Sequence, residues 1–432
     1  MRKHRVFKIQ NISKIKKALL EWSRGYSAVV WLDSNNHKDP YGSFDAALAI
    51  GQTDGSSFFV KNIDNLNEYV DKRQDWLFGY FSYDLKNDLE DLVSQNLDGL
   101  GFPKIQFFKP SRLIMLKGNE LHFQYLKSYA DEMEWDYLQI KERLKNLHGS
   151  QGNTAKPKIH MRIHKDAYFE KVNKLLEHIH RGNIYEANLC QEFYATDTKI
   201  DPWRTYSKLN TISQPPFATF MRMDEHYLMC ASPERYLKKI GQTIISQPIK
   251  GTAPRGKNLE EDEALKIALA QDEKERAENI MITDLVRNDL SKSALKGSVE
   301  VKELCKVYDY KQVHQMISTI VAQVAEDKNT LELIKETFPM GSMTGAPKIS
   351  AMKIIEALEE TKRGLYSGAV GYFAPNGDFD FNVVIRSILY NASKKYVSYS
   401  VGSAITAKSD PEREYQECLL KAKAMRSVLE QG

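Results

Sequence analysis

Residues 248–256 read Pro-Ile-Lys-Gly-Thr-Ala-Pro-Arg-Gly, with Lys250 held between a proline and a glycine. Pro248 fixes its own φ and Gly251 is free to take φ > 0, so the segment presents an amine from a constrained backbone. The same stretch approaches a Walker A loop: Gly251, four residues, Gly256, Lys257. That reading fails at Asn258, where a Ser or Thr hydroxyl would be needed, and at Pro254, which removes an amide from the phosphate cradle. An amine aimed into a cleft is the better reading.

Around this centre the pattern predicts strands bunched into hairpins, with helices inserted in blocks. Short strand-like runs cover 26–32, 44–50 and 77–81, with polar turns between them. The stretch 149–157, Gly-Ser-Gln-Gly-Asn-Thr-Ala-Lys-Pro, has neither periodicity nor apolar anchors and reads as a linker. It divides an amino-terminal subdomain, 1–150, from a main domain, 158–432. Tyr168, Val172, Leu175, Leu176 and Ile179 recur at helical spacing, and Gly182-Asn183 ends that helix. Further strands are expected at 184–195, 217–223, 227–231 and 236–240, followed by one long acidic helix over about 259–281. A helix over 349–360 precedes strands at 368–374 and 379–390, joined through Asn376-Gly377, a hairpin signal. A strand at 396–401 leads to a last helix with Asp410 as N-cap and Pro411 at N1. This is α+β organisation, with antiparallel or mixed sheets rather than repeated βαβ units.

Composition excludes several classes. The 432 residues carry a net charge of +4, with no basic block interleaved with aromatics, so nucleic acid is not an expected partner. No apolar run approaches the ~20 residues of a membrane helix, and no apolar stretch follows the basic start Met1–Arg5, so neither a membrane span nor a signal peptide is expected. The four cysteines, Cys190, Cys230, Cys305 and Cys418, are scattered without CxxC spacing, which fits a reducing cytoplasm.

Several residues stand out chemically. Glu275 and Glu278 share a helix face, as do Glu414 and Glu417, and acidic pairs of this kind ordinarily form solvated faces. Residues 338–348, Phe-Pro-Met-Gly-Ser-Met-Thr-Gly-Ala-Pro-Lys, enter a helix through small residues, leaving amides at its positive end. Arg386 lies mid-strand in Val-Val-Ile-Arg-Ser-Ile, where it either points outward or clamps a carboxylate in a cleft. Glu234 follows Pro233 in Ser-Pro-Glu-Arg, a turn unless the cleft desolvates it and raises its pKa.

Together these motifs resemble the chorismate-utilising enzymes. The resemblance rests on 248–255, on 277–290 (Ala-Glu-Asn-Ile-Met-Ile-Thr-Asp-Leu-Val-Arg-Asn-Asp-Leu), on 338–348, and on Ser-Pro-Glu-Arg at 232–235. It covers most of the chain and is strongest over 165–425. It implies a two-sheet, mostly antiparallel sandwich with helices outside. It places Mg²⁺ on Glu278 and Glu417, with Glu275 and Glu414 beside them. It makes Glu234 the general acid and Gly251, Thr252, Tyr366, Arg386 and Gly402 the substrate contacts, although Gly402-Ser403-Ala404 supplies less glycine than the family usually has there.

The variable position of Pro-Ile-x-Gly-Thr is lysine in the aminodeoxychorismate-forming branch and usually alanine in the anthranilate-forming branch; here it is Lys250. The implied reaction is amination of chorismate at C4 by ammonia, giving 4-amino-4-deoxychorismate for 4-aminobenzoate and folate. Lys250 would attack C2 while Glu234 protonates the departing hydroxyl. A free lysine has a pKa of ~10.4, so this chemistry asks the site to lower it. No cysteine is flanked as Gly-x-Cys-x-Gly, so a separate glutamine amidotransferase is the implied ammonia source. Gln315 stands where many anthranilate-forming relatives have histidine, and His314 is one place earlier. The water-activating lysine of isochorismate-forming relatives falls near Glu186, where this chain has no lysine, which speaks against water as nucleophile. The alternatives are anthranilate formation and a non-catalytic chorismate-fold sensor.

Overall fold

The computed structural model describes residues 2–52, 59–72, 75–145, 156–311 and 313–431. Among these residues two sheets, of 12 and 10 strands, carry the fold, with His160–Met161 branching off the first at Glu186–Ala195 and Glu300–Asp309 off the second at Val313–Gln323. The first runs through Arg2–Lys8, Glu120–Leu126, Arg112–Lys117, Ala46–Gly51, Ala28–Asp33, Phe217–Met223, His226–Ser232, Ser387–Asn391, Tyr396–Thr406, Glu186–Ala195 and Gly345–Ala346. The second runs through Ile249–Pro254, Val313–Gln323, Thr243–Gln247, Arg235–Ile240, Phe379–Val383, Ala369–Phe373, Leu77–Phe81, Ile105–Phe108 and Phe59–Val60. Neighbouring strands in both are antiparallel, as in the pairs 228 with 389 and 371 with 381. Strands from before and after 149–157 lie in the same sheets; residues 149–155 of that expected linker fall outside the described residues.

The period of two explains how the first sheet is buried on both faces. Val30, Ala47 and Ala49 point into the core between the sheets with Phe81, Phe107 and Phe381. Val29, Trp31, Leu48 and Ile50 point the other way, into a second core closed by Leu19, Val172, Leu209 and Met425 of the covering helices. The expected sandwich with outer helices is therefore present. Among the described residues no helix is long and apolar enough to cross a membrane.

Two expectations change. The acidic helix is two helices, Leu259–Gln271 and Glu273–Ser291. Asp272 is extended between them, and its carboxylate caps the second by accepting from the Glu275 amide, 2.9 Å. The expected strand 379–390 is also two, Phe379–Val383 in the second sheet and Ser387–Asn391 in the first. Arg386 is thus not mid-strand: it sits where the chain changes sheets, at φ +52. A parallel corner lies at Pro233-Glu234, between His226–Ser232 and Arg235–Ile240. The two corners are laced together, the Val383 amide donating to the Glu234 carbonyl (3.0 Å) and the Ala231 amide to the Arg386 carbonyl (3.2 Å). Two chemistry-bearing side chains are thereby held at adjoining sheet crossings.

Candidate active site

Lys250 occupies a β-bulge. Ile249 pairs with Ile317 and Thr252 with Gln315, so Lys250 and Gly251 together oppose Met316, and Gly251 takes φ +98. The bulge sits at the edge of the second sheet, and the lysine reaches across to the first, where Glu186 begins its strand. Lys250 Nζ donates to Glu186 Oε1 at 2.7 Å; the two side chains are 11% and 1% exposed. Gly345, against which Glu186 packs, tolerates no side chain, since a Cβ there would lie 2.1 Å from the Glu186 carbonyl oxygen.

The Walker-like amides are spoken for. The Gly256 and Lys257 amides donate to Asp262 and Glu261, and Asn258 caps the helix that follows.

Glu234 is buried, and Ser342 of the 338–348 loop donates to its Oε1 at 2.6 Å. Burial pushes its carboxyl up to about 7, against the pull of Ser342 and Lys250. This is the state expected of a proton donor at neutral pH. The lysine departs from expectation. Burial alone would lower its pKa, but Glu186 and Glu278 outweigh that and raise it, so the apo site holds an ammonium rather than a free amine.

Arg386 is partly buried, and its guanidinium donates to no side chain or carbonyl among the described residues. Burial lowers its pKa. It faces a slot of about 70 Å³ shared with Gln315, Tyr310 and Lys421, narrower than the ~300–1,000 Å³ of small-molecule pockets. Tyr366, buried, lies near it, hydrogen-bonded to Cys190. Gly402 requires its hydrogen: a Cβ would meet the Asn188 side chain at 2.6 Å. Thr252 is exposed on the edge strand, and His314 is fully buried between Asp309 and Asp262, at 2.9 and 3.0 Å, on the far side of the bulge.

The four glutamates come from the helices Glu273–Ser291 and Pro411–Glu430 and converge on the ammonium of Lys274. Lys274 Nζ lies 3.7 Å from Glu278 and 3.6 Å from Glu414. Glu278 is raised to about 7 by burial, and its Oε1 is buried with no hydrogen bond, only the Lys274 ammonium at 3.7 Å. Burial would raise Glu417, but Lys421 at 2.5 Å outweighs it and holds the carboxyl low. Among the described residues no three such ligands stand close enough to form a metal cluster as they are. The donor set nevertheless suits a hard cation: only carboxylates, one with an orphaned oxygen, already balanced by a borrowed positive charge.

A cavity of about 720 Å³ lies elsewhere, lined by Asp33, Ser34, Lys38, Phe217 and Asn382 among others. None of the residues singled out above lines it.

Sequence reading gave no role to Glu186, Lys274, Ser342 or Lys421. Glu186 is 64 positions from its partner, beyond the reach of any local pattern. Lys274 and Lys421 were within reach, each four residues from Glu278 or Glu417 on one helix face.

The chorismate binding enzyme family matches residues 27–427. An anthranilate synthase component I-like protein of Synechocystis is 35% identical over 85% of this chain and 75% of its own. Anthranilate synthase component 1 of Thermus thermophilus is 36% identical over 82% of this chain and 77% of its own. Aminodeoxychorismate synthase component 1 of Escherichia coli is 39% identical over 62% of this chain and 58% of its own. Among solved structures, anthranilate synthase component I of Streptococcus pneumoniae superposes with TM-score 0.73 at 23% identity, covering 98% of this chain and 92% of that one. Matched from residue 27 to residue 427, this protein belongs to the chorismate binding enzyme family.

Proposed function

We propose that the protein aminates chorismate at C4 with ammonia, forming 4-amino-4-deoxychorismate on the route to 4-aminobenzoate and folate in the cytoplasm. The observation that carries this reading is Lys250, set on a bulge and fixed 2.7 Å from Glu186 at the point where the two sheets approach. A nucleophile on the protein divides one hard displacement at C4 into two easier ones. Lys250 attacks C2, both ring double bonds shift, and Glu234 gives its proton to the departing C4 hydroxyl. Ammonia then bonds to C4, the double bonds return, and the lysine leaves.

Arg386 and Lys421, facing one slot, suit the substrate's carboxylates. Mg²⁺, held by Glu278 and Glu417 with Glu275 and Glu414 beside them, would supply a hard cation that draws electron density from the ring through its carboxylate. All four cysteines are buried, so none is offered as a glutaminase nucleophile. Ammonia is therefore assigned to a separate glutamine amidotransferase, a reading supported by the component naming of the E. coli relative.

The second reading is amination at C2, favoured by the anthranilate synthase relatives that match over more than four-fifths of the chain. Incubation with chorismate, Mg²⁺ and ammonium separates the two. The 4-amino product is expected, and anthranilate as the main product would refute the proposal. With glutamine alone in place of ammonium, no product is expected.

A further inference from the structure

We infer that Glu186 is the catalytic base that takes the proton from Lys250 and later returns it. The inference rests on the C4 reading above and adds a residue to it. Lys250 and Glu186 meet at 2.7 Å, and the acidic surroundings keep the lysine as an ammonium, which has no lone pair to offer C2. A nearby acceptor must therefore take a proton before the C–N bond forms. Glu234 cannot do so while serving as the proton donor. Glu278 is not hydrogen-bonded to the lysine, and its near neighbour is Lys274, at 3.7 Å. Glu186 alone, among the described residues, touches Nζ with a side-chain oxygen. Its other oxygen, Oε2, is buried with no partner, in a side chain 1% exposed. An ion pair kept for stability alone would be expected to satisfy both carboxylate oxygens. A carboxylate with one oxygen unengaged loses less on accepting a proton.

The protons balance. Glu186 takes one from Lys250; the amine bonds to C2 as the C4–O bond breaks, and Glu234 protonates the oxygen, which leaves as water. Ammonia then bonds to C4 and the C2–N bond breaks. Glu186 returns its proton to the freed lysine, and the new C4 ammonium gives one proton back to Glu234. No oxidant or further reactant is needed.

The test is the rate at which the peptide containing Lys250 gains the mass of the substrate-derived ring. Protein, chorismate and Mg²⁺ are mixed without ammonia and quenched at intervals between pH 6 and 9. Glu186→Gln is expected to slow adduct formation by about 10²–10⁴-fold at pH 7. Its deficit relative to wild type should shrink about tenfold per pH unit, as solvent takes over deprotonation. A residue that merely shapes the site would give a deficit independent of pH. Glu186→Asp keeps a carboxylate and should retain most of the rate. Glu186→Gln at the wild-type rate, or with a deficit level in pH, overturns the assignment of Glu186 alone. A wild-type chain that forms no adduct without ammonia, and releases anthranilate once ammonium is added, overturns the C4 reading itself.

Discussion

Glu234 and Arg235 are sequence neighbours, yet they face two charge clusters of opposite character. On one side Arg235 is 1% exposed and every donor is used: Asp380 at 3.0 and 3.2 Å, Asp39 at 2.5 Å, Gln247 at 2.6 Å. Lys238 joins it, donating to Asp380 at 2.8 Å and Ser43 at 3.0 Å. On the other side Lys250 and Glu186 pair, but Glu186 Oε2 and Glu278 Oε1 are buried without hydrogen bonds. There Lys274 stands no closer than 3.6 Å to its carboxylates, and Arg386 is unengaged among the described residues. An unsatisfied buried polar group costs about 1–3 kcal/mol, so a fold does not keep several in one place for stability. The saturated cluster holds the sheets together; the unsaturated one is arranged for a ligand that completes it.

The contrast is broken most readily by removing one cation from each side. Arg235→Ala should cost up to about 3–5 kcal/mol, because Asp39 loses its cation and Asp380 keeps only Lys238. Lys250→Ala removes one side-chain hydrogen bond where Arg235→Ala removes five, and should cost less in urea unfolding. Equal losses would erase the distinction. The metal side comes next: Glu417→Gln should raise the Mg²⁺ requirement and lower turnover by roughly 10–100-fold without unfolding the chain. An unchanged Mg²⁺ dependence at normal rate would remove Glu417 from the metal site.

Glu234 gives a third effect, of opposite sign for stability and activity. Its carboxyl is raised from 4.5 to about 7, so the folded chain binds a proton there more tightly than the unfolded chain does. The native state therefore loses stability as pH rises from about 4.5 through 7, and nothing is lost below that window. Glu234→Gln should stabilise the protein at pH 8 by on the order of 1–3 kcal/mol, vanish as an effect at pH 4, and abolish most turnover. Wild-type turnover should fall as pH rises through about 7. The smallest effect concerns Ser342, whose hydrogen bond favours the ionised acid. Ser342→Ala should move that falling limb upward by under about one pH unit, and a downward move would show that Ser342 acts otherwise.

The sequence carried the local signals well and the crossings badly. Asn376-Gly377 gave the hairpin, with Gly377 at φ +84, and Asp410-Pro411 gave the start of the last helix, where the aspartate accepts from Arg413 N at 3.0 Å. The corner at Arg386 was hidden because Val383-Val384-Ile385 continues the apolar run on both sides of a change of sheet. A strand entering a second sheet stays apolar, so periodicity does not mark the switch. The break at Asp272 was hidden because neither glycine nor proline marks it, only an N-cap aspartate among other acidic residues. The resemblance supplied Glu234, Lys250 and the helix glutamates, and the structure brings them to one end of the sandwich. The roles of Glu186 beside Lys250 and of Ser342 beside Glu234 show only through contacts 64 and 108 positions long.

Product analysis of Lys250→Ala against wild type tests the central claim most directly, with both incubated with chorismate, Mg²⁺ and ammonium. The account predicts that the wild type makes 4-amino-4-deoxychorismate. The variant should still bind chorismate but lose that product almost entirely, with at most a trace of the 2-amino compound. A Lys250→Ala protein that makes the 4-amino product at the wild-type rate would contradict it and reduce Lys250 to an electrostatic contact.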